Sequence, residues 1–343
     1  MTPAVDLAEC VERLLHGFTT YDRAVDVVSA FEMAYTTSHS ELPATVRHFE
    51  RFPHAPSSSG STLTPDFSVV FNDGGGLVGE IARLALHEGS AESLCDQIAK
   101  YDALRQLPAS EGLVDVSHTD VLLLVPQSVG VAAVKRIIVE RFANPEHPYK
   151  PSVAPCVVQF AFDEDRYIFQ RLLEPGNGMP RDGNRPDGLS HWFGQNGDFK
   201  ARPSRFSDIK AERAFINDPA DPLYLATHLW AKTFPTMVAA ATRPVRIEVS
   251  SGDLAADLRE KYGGVLAGDV DRALSLLKAA KLAEKTDDRW IIAWEELRVL
   301  GEKDLAHALA HRACQPPARG VLARLTAADE AAATRPSRPE TLF

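Results

Sequence analysis

The segment from Thr64 to Leu84 constrains this chain more than any other. Phe67, Val69 and Phe71 alternate with Asp66, Ser68 and Val70, which is the period of a β-strand. Asn72-Asp73-Gly74-Gly75-Gly76 follows, a run whose residues accept positive φ, and Leu77 to Leu84 reads as the returning strand. An antiparallel hairpin is therefore predicted, and it needs elements on its faces to bury those side chains. Arg23 to Tyr35 supplies one, because Ala24, Val27, Val28, Phe31 and Ala34 or Tyr35 recur at helical spacing, with Glu32 on the flank. Ser90 to Leu107 supplies another: Leu94, Ile98, Tyr101 and Leu104 or Arg105 share a stripe, Ser90 can cap the helix, and Glu92 suits its first turn. Asp120 to Val125 and Pro155 to Phe162 read as strands, and Val131 to Arg141 as a helix between them. Helix, strand, strand, helix, strand, helix, strand predicts an α/β domain from Leu14 to Leu173.

Glu174 to Arg205 is rich in Gly, Pro and Asn and is predicted to be a long loop or linker. Its cations Arg181, Arg185, Lys200, Arg202 and Arg205 are candidate contacts for a nucleic-acid backbone, and Trp192 and Phe193 are expected to pack. Further on, Leu223 to Ala240 reads as a helix, Arg246 to Val249 as a strand, and Ser251 to Tyr262 and Asp269 to Lys281 as helices. Thr286-Asp287-Asp288 is a polar turn before the strand Trp290 to Trp294. That order is the order of a winged-helix module. Its second helix is expected to expose Asp269, Asp271, Arg272, Ser275 and Lys278, acidic where a base-reading helix carries Arg, Asn or Gln, which favours a protein-contact or structural role. Beyond Pro316 an Ala, Arg and Pro sequence reads as a frayed tail. The expected organisation is a domain over 1–173, a linker over 174–205, a mostly helical winged-helix-like domain over 206–315 and a tail over 316–343.

Composition limits the partners. With 37 basic and 47 acidic side chains the formal net charge is −10, so contact with a polyanion needs a local basic groove rather than a basic coat. The 4 cysteines are isolated, without a Cys-x-x-Cys pair, and support neither a disulfide framework nor a zinc cluster; a reduced, cytoplasmic protein is the simplest expectation. The first ten residues lack a basic segment followed by an apolar core, and no apolar run approaches the roughly 20 residues that cross a bilayer, so no membrane role is expected. His307 and His311 are spaced as helical metal ligands, but Ala308 stands where a zinc protease carries Glu, and a solvated helix face is expected.

Asp66 after Pro65 and Glu80 across the hairpin could face one side of a sheet, an all-oxygen pair suited to a hard divalent cation. The alternative is two solvated charges at strand ends. Thr64-Pro65-Asp66, then Gly79-Glu80-Ile81-Ala82, then Gln97-Ile98-Ala99-Lys100-Tyr101 resembles the PD-(D/E)xK nuclease superfamily over the N-terminal half. The resemblance implies a restriction-endonuclease-like mixed sheet flanked by helices, and Mg²⁺- or Mn²⁺-dependent cleavage of DNA. It implies metal binding by Asp66, Glu80 and the Ile81 carbonyl, with Glu32 as the helix acid in preference to the nearby Glu41 and Glu50. Gln97 and a lysine would orient water and phosphate. Where the superfamily carries that lysine, two residues after the second acid, this chain has Ala82, while Arg83 is expected on the opposite face. Either the lysine has moved to Lys100 on the helix, or the site is degenerate and the domain is an adaptor that binds a protein or DNA through its winged helix. A third reading is a regulator that binds duplex DNA through that helix. An acidic nuclease of this kind is expected to act with a protein partner or as a homodimer, inside a larger bacterial DNA-processing or defence assembly.

Overall fold

The computed structural model describes residues 7–37, 46–57, 60–81, 96, 98–128, 146, 156–171, 198–216, 219–238, 245–294 and 301–315. The chain is a mixed α/β protein that divides into two compact units: one of Thr20–Ala220 with Ala255–Leu266, the other of Met1–Thr19, Asp221–Leu254 and Ala267–Phe343.

The first unit is built on a seven-stranded sheet. Its strands are β1 (Val46–Arg51), β4 (Phe67–Phe71), β5 (Gly76–Ile81), β8 (Thr119–Pro126), β9 (Cys156–Asp163), β10 (Arg166–Arg171) and β11 (Asp198–Ala201), adjacent in that order. β8 runs parallel to both β5 and β9, and the remaining pairs are antiparallel. Two short ribbons accompany it, β2 (Ala55–Pro56) with β3 (Thr62–Leu63), and β6 (Gln106–Ala109) with β7 (Gly112–Asp115). The predicted hairpin is β4–β5: Gly74 N–H donates to the Phe71 carbonyl at 3.0 Å, Phe71 N–H to the Gly75 carbonyl at 2.9 Å, and Gly74 takes φ +87°.

One face of the sheet packs on helix α1 (Leu7–Thr36), which starts well before the predicted Arg23. Phe31 stacks on Phe67 at 5.7 Å between ring centroids and meets Phe169 edge-on at 5.2 Å, while Phe49 stacks on Phe67 at 5.3 Å. Gly79 lies directly opposite Phe67, and a Cβ built there would come within 2.1 Å of that ring, so only glycine leaves room for the aromatic layer. The other face carries Val70, Val78, Val121, Leu123 and Val125 against Ile98, Tyr101 and Leu104. Residues 98–102 are helical, but the helix expected to reach Leu107 stops at Asp102, and from Gln106 the chain forms the β6–β7 ribbon, because Gln106 to Ala109 pair with Gly112 to Asp115 instead of closing another turn. The expected helix at Val131–Arg141 lies outside the described residues.

Helix α2 (Pro203–Glu212) starts with Pro at its first turn and is held by Lys210, whose Nζ lies 2.6 Å from both Asp22 and Asp26; Tyr167 donates its hydroxyl to Asp26 at 2.6 Å. Residues 198–205 are therefore strand β11 and the first turn of α2, where loop was expected. Phe199 and Ala201 extend the sheet edge opposite Phe169 and Tyr167.

In the second unit, α3 (Pro222–His228) is capped by Asp221, which accepts from the Leu223 and Tyr224 amides at 3.0 Å each. It continues through a π-helical turn, Leu229–Thr233, into α4 (Phe234–Met237). Strand β12 (Val245–Val249) precedes α5 (Ser251–Tyr262) and α6 (Ala267–Ala279); the hairpin β13 (Ala283–Thr286) and β14 (Arg289–Trp294) follows, and α7 (Glu302–Cys314) comes last. The three strands form one sheet in the order β12-β14-β13. Trp290 is fully buried, and its Nε1 donates to Asp271 Oδ1 at 3.1 Å, an oxygen that also receives Lys285 and Ser251. Asp269 is buried and paired with Arg272. Of the two acids expected on the outer face of α6, Asp269 turns inward, while Asp271 keeps a side chain 41% exposed on a face that also presents Arg272, Ser275 and Lys278.

Cys10 and Cys314 form a disulfide joining α1 to the end of α7, which corrects the expectation of four unpaired cysteines; Cys156 is a buried free thiol. A sequence separation of 304 hid the pairing, since only helix packing brings the ends together. Cys10→Ser, or reduction of the wild type, is expected to lower the stability of the second unit by about 2–4 kcal/mol, as the bridge restrains the unfolded chain. Calorimetry with and without a dithiol tests this: equal midpoints, with the bridge verified by mass under non-reducing conditions, would contradict it. No helix among the described residues is long and apolar enough to cross a membrane.

Candidate functional site

Asp66 sits where the chain enters β4, and Glu80 near the end of β5. Phe67 pairs with Gly79, so Asp66 stands opposite Glu80 one step further along, and directly opposed residues of antiparallel strands share a face. That face is the one covered by the 98–102 helix. Asp66 is only 4% exposed and accepts the Ile81 amide at its Oδ2, 2.8 Å away. Glu80 is half-buried and accepts the Tyr101 hydroxyl at its Oε2, 3.0 Å away. The backbone of β5 therefore orients one acid, and the helix that covers the sheet orients the other. Fixed carboxylates of this kind bind cations more tightly than mobile ones, because less side-chain freedom is lost on binding.

Lys100 belongs to the same helical stretch, is exposed, and directly precedes Tyr101. Gln97 and the strand residues after Ile81, including Ala82 and Arg83, lie outside the described residues. Glu32, on α1, approaches the same end of the sheet from the opposite face. Its Oε2 receives Arg51 Nε at 2.5 Å, and the Arg51 side chain is 1% exposed. Arg51 closes β1, a six-residue strand absent from the expectations, whose burial shows no clean alternation to signal it. Glu50, by contrast, pairs with Ser68 and so lies on the Asp66 and Glu80 face, where its Oε2 accepts from His48 Nε2 at 2.8 Å. Glu41 lies outside the described residues. Among the described residues, no group of three or more His, Cys, Asp or Glu is placed to hold a metal ion, so Asp66 and Glu80 stand as a pair.

The cations expected in a linker separate. Arg181 and Arg185 lie outside the described residues. Lys200 is on β11, 3.6 Å from Asp198; Arg202 precedes α2, 3.2 Å from Asp165; Arg205 is exposed on α2. Lys200 and Arg202 face solvent with acids beside them, which weakens their pull on a polyanion without abolishing it. His307 and His311 lie on α7, both exposed, as expected for a solvated face.

No protein-family model, no curated protein and no solved structure matches the chain.

Proposed function

We propose that the chain is a metal-dependent nuclease that hydrolyses phosphodiester bonds of DNA, in the manner of the PD-(D/E)xK enzymes its N-terminal half resembles. The observation that carries this reading is that Asp66, just outside the last β4–β5 pair, accepts the amide of Ile81, the residue after Glu80, at one end of a mixed sheet. The donors there are all oxygen, a set that fits a small hard cation such as Mg²⁺ or Mn²⁺. Asp66, Glu80 and the Ile81 carbonyl would hold it, whereas Glu32, the helix acid the resemblance implies, has Oε2 on Arg51 on the opposite face and stands apart from that pair. Such an ion, when bound, polarises a phosphate oxygen and acidifies water. The protein's own part is orientation. The Ile81 amide holds Asp66, the Tyr101 hydroxyl holds Glu80, and Gln97 with Lys100 would orient water and phosphate from the covering helix. Arg181, Arg185, Lys200, Arg202 and Arg205 would grip the DNA backbone. A net charge of −10 argues for help from a protein partner or a second copy, in a cytoplasmic, bacterial DNA-processing or defence assembly.

A second reading, an inactive adaptor, is favoured by the commitment of Glu32 to Arg51 and by Ala82 where a lysine is expected. The β12, α5, α6, β13–β14 order with β14 central supports a winged-helix module for docking, with Arg272, Ser275 and Lys278 outward. Cleavage of supercoiled and single-stranded DNA with Mg²⁺ or Mn²⁺ separates the readings. Asp66→Ala and Glu80→Ala are expected to remove cleavage, and Lys100→Ala to slow it by about 10²-fold or more. Wild type that neither cleaves nor binds Mn²⁺ would leave the adaptor.

A further inference from the structure

We infer that Arg171 anchors a binding site for a small oxyanion on the α1 face of the sheet, opposite the face of Asp66 and Glu80 and independent of the nuclease reading. Arg171 ends β10 and pairs with Val158; Cys156, two residues earlier on β9, therefore shares its face, as does Asp120 through the pairing of Leu122 with Cys156. Arg171 is 8% exposed, and its Nε and Nη1 are both buried with no hydrogen-bond partner among the described residues. No ion pair of Arg171 occurs among the described residues either; the acid on that face, Asp120, lies 3.9 Å from His118 Nε2. The neighbouring hydroxyl and thiol do not neutralise it. Burial pushes the Cys156 thiol up to about 12 and raises the Tyr35 phenol as well, so both stay protonated and keep a hydrogen to donate.

A guanidinium removed from water without a counter-charge is among the most unfavourable groups a core can hold, and the interior arginines that persist are those with an acid or an anion on their fork. The fork is planar and matches two oxygens of a carboxylate or a phosphate. Arg171 supplies the charge, and Tyr35 and Cys156 add neutral donors on the same face, beside the buried Asp120 carboxylate, so the fork and two further hydrogens are offered to a ligand's oxygens. Asp120 on that face disfavours highly charged anions, so the ligand class is a small oxyanion of low charge: monovalent phosphate or a simple carboxylate.

The test is thermal unfolding and titration calorimetry of the full chain in phosphate and in acetate, against chloride at equal ionic strength. Saturating ligand is expected to raise the midpoint by about 5 °C in wild type, through binding to the folded state alone. The response to phosphate compared with acetate identifies which oxyanion is preferred. Arg171→Met keeps the volume and removes the charge, and is expected to fold and to lose the shift; Arg171→Lys keeps the charge without the fork and is expected to bind at least tenfold more weakly. No shift and no heat with either anion in wild type, or an equal shift in Arg171→Met, overturns the proposal.

Discussion

Arg51→Ala is expected to destabilise the first unit by about 3–5 kcal/mol, because it leaves a partly buried carboxylate without its counter-charge. All three guanidinium nitrogens are used: Nε on Glu32 Oε2 at 2.5 Å, Nη1 on the Arg213 carbonyl at 2.6 Å and Nη2 on Ser29 Oγ at 2.7 Å. One side chain thereby ties β1 to α1 and to the end of α2. Urea denaturation of Arg51→Met, Glu32→Gln and the double variant isolates the pair. The double variant is expected to recover at least about 1 kcal/mol relative to the sum of the single losses, and strict additivity would sink the claim. Glu32→Gln also bears on the chemistry, since glutamine keeps an acceptor for Arg51 while losing the charge a metal requires. Folded Glu32→Gln that no longer cleaves assigns Glu32 to the metal; unchanged cleavage leaves it as the partner of Arg51.

Acidification is expected to weaken the second unit through His228. Burial, reinforced by the nearby Lys232 charge, lowers its pKa from 6.5 to about 3. Below 6.5 the unfolded chain binds a proton at this ring that the native state does not, so stability is full above that value and falls as the pH drops towards 3. The loss is roughly 2 kcal/mol near pH 5 and roughly 4 kcal/mol near pH 3. His228→Leu removes the titrating ring, so its pH–stability curve is expected to diverge from that of wild type through this window. Parallel curves would show that His228 protonates in the native state as readily as in the unfolded one.

Much of this was legible in the residues. The 64–84 alternation and its glycine turn foretold the β4–β5 hairpin, because strand period and turn chemistry are local properties. Ser251–Tyr262 emerged as α5 at its predicted bounds for the same reason. Short strands were not legible: β1, β6, β7, β10 and β11 run four to six residues, too few for a periodicity to stand out, and their pairing partners are distant. Missing β1 meant missing Arg51, and so the engagement of Glu32.

By itself, then, the sequence determined the local elements, the order of the acids along them and the glycine-dependent turn between them, since each depends on a few neighbouring residues. Tertiary structure alone decided what those residues do with their charges. Long-range packing turned Asp269 inward, set Asp271 against Trp290, bonded Cys10 to Cys314, seated Arg51 on Glu32 and buried Arg171 with two nitrogens unmet among the described residues, because burial and pairing depend on segments that meet only when the chain folds.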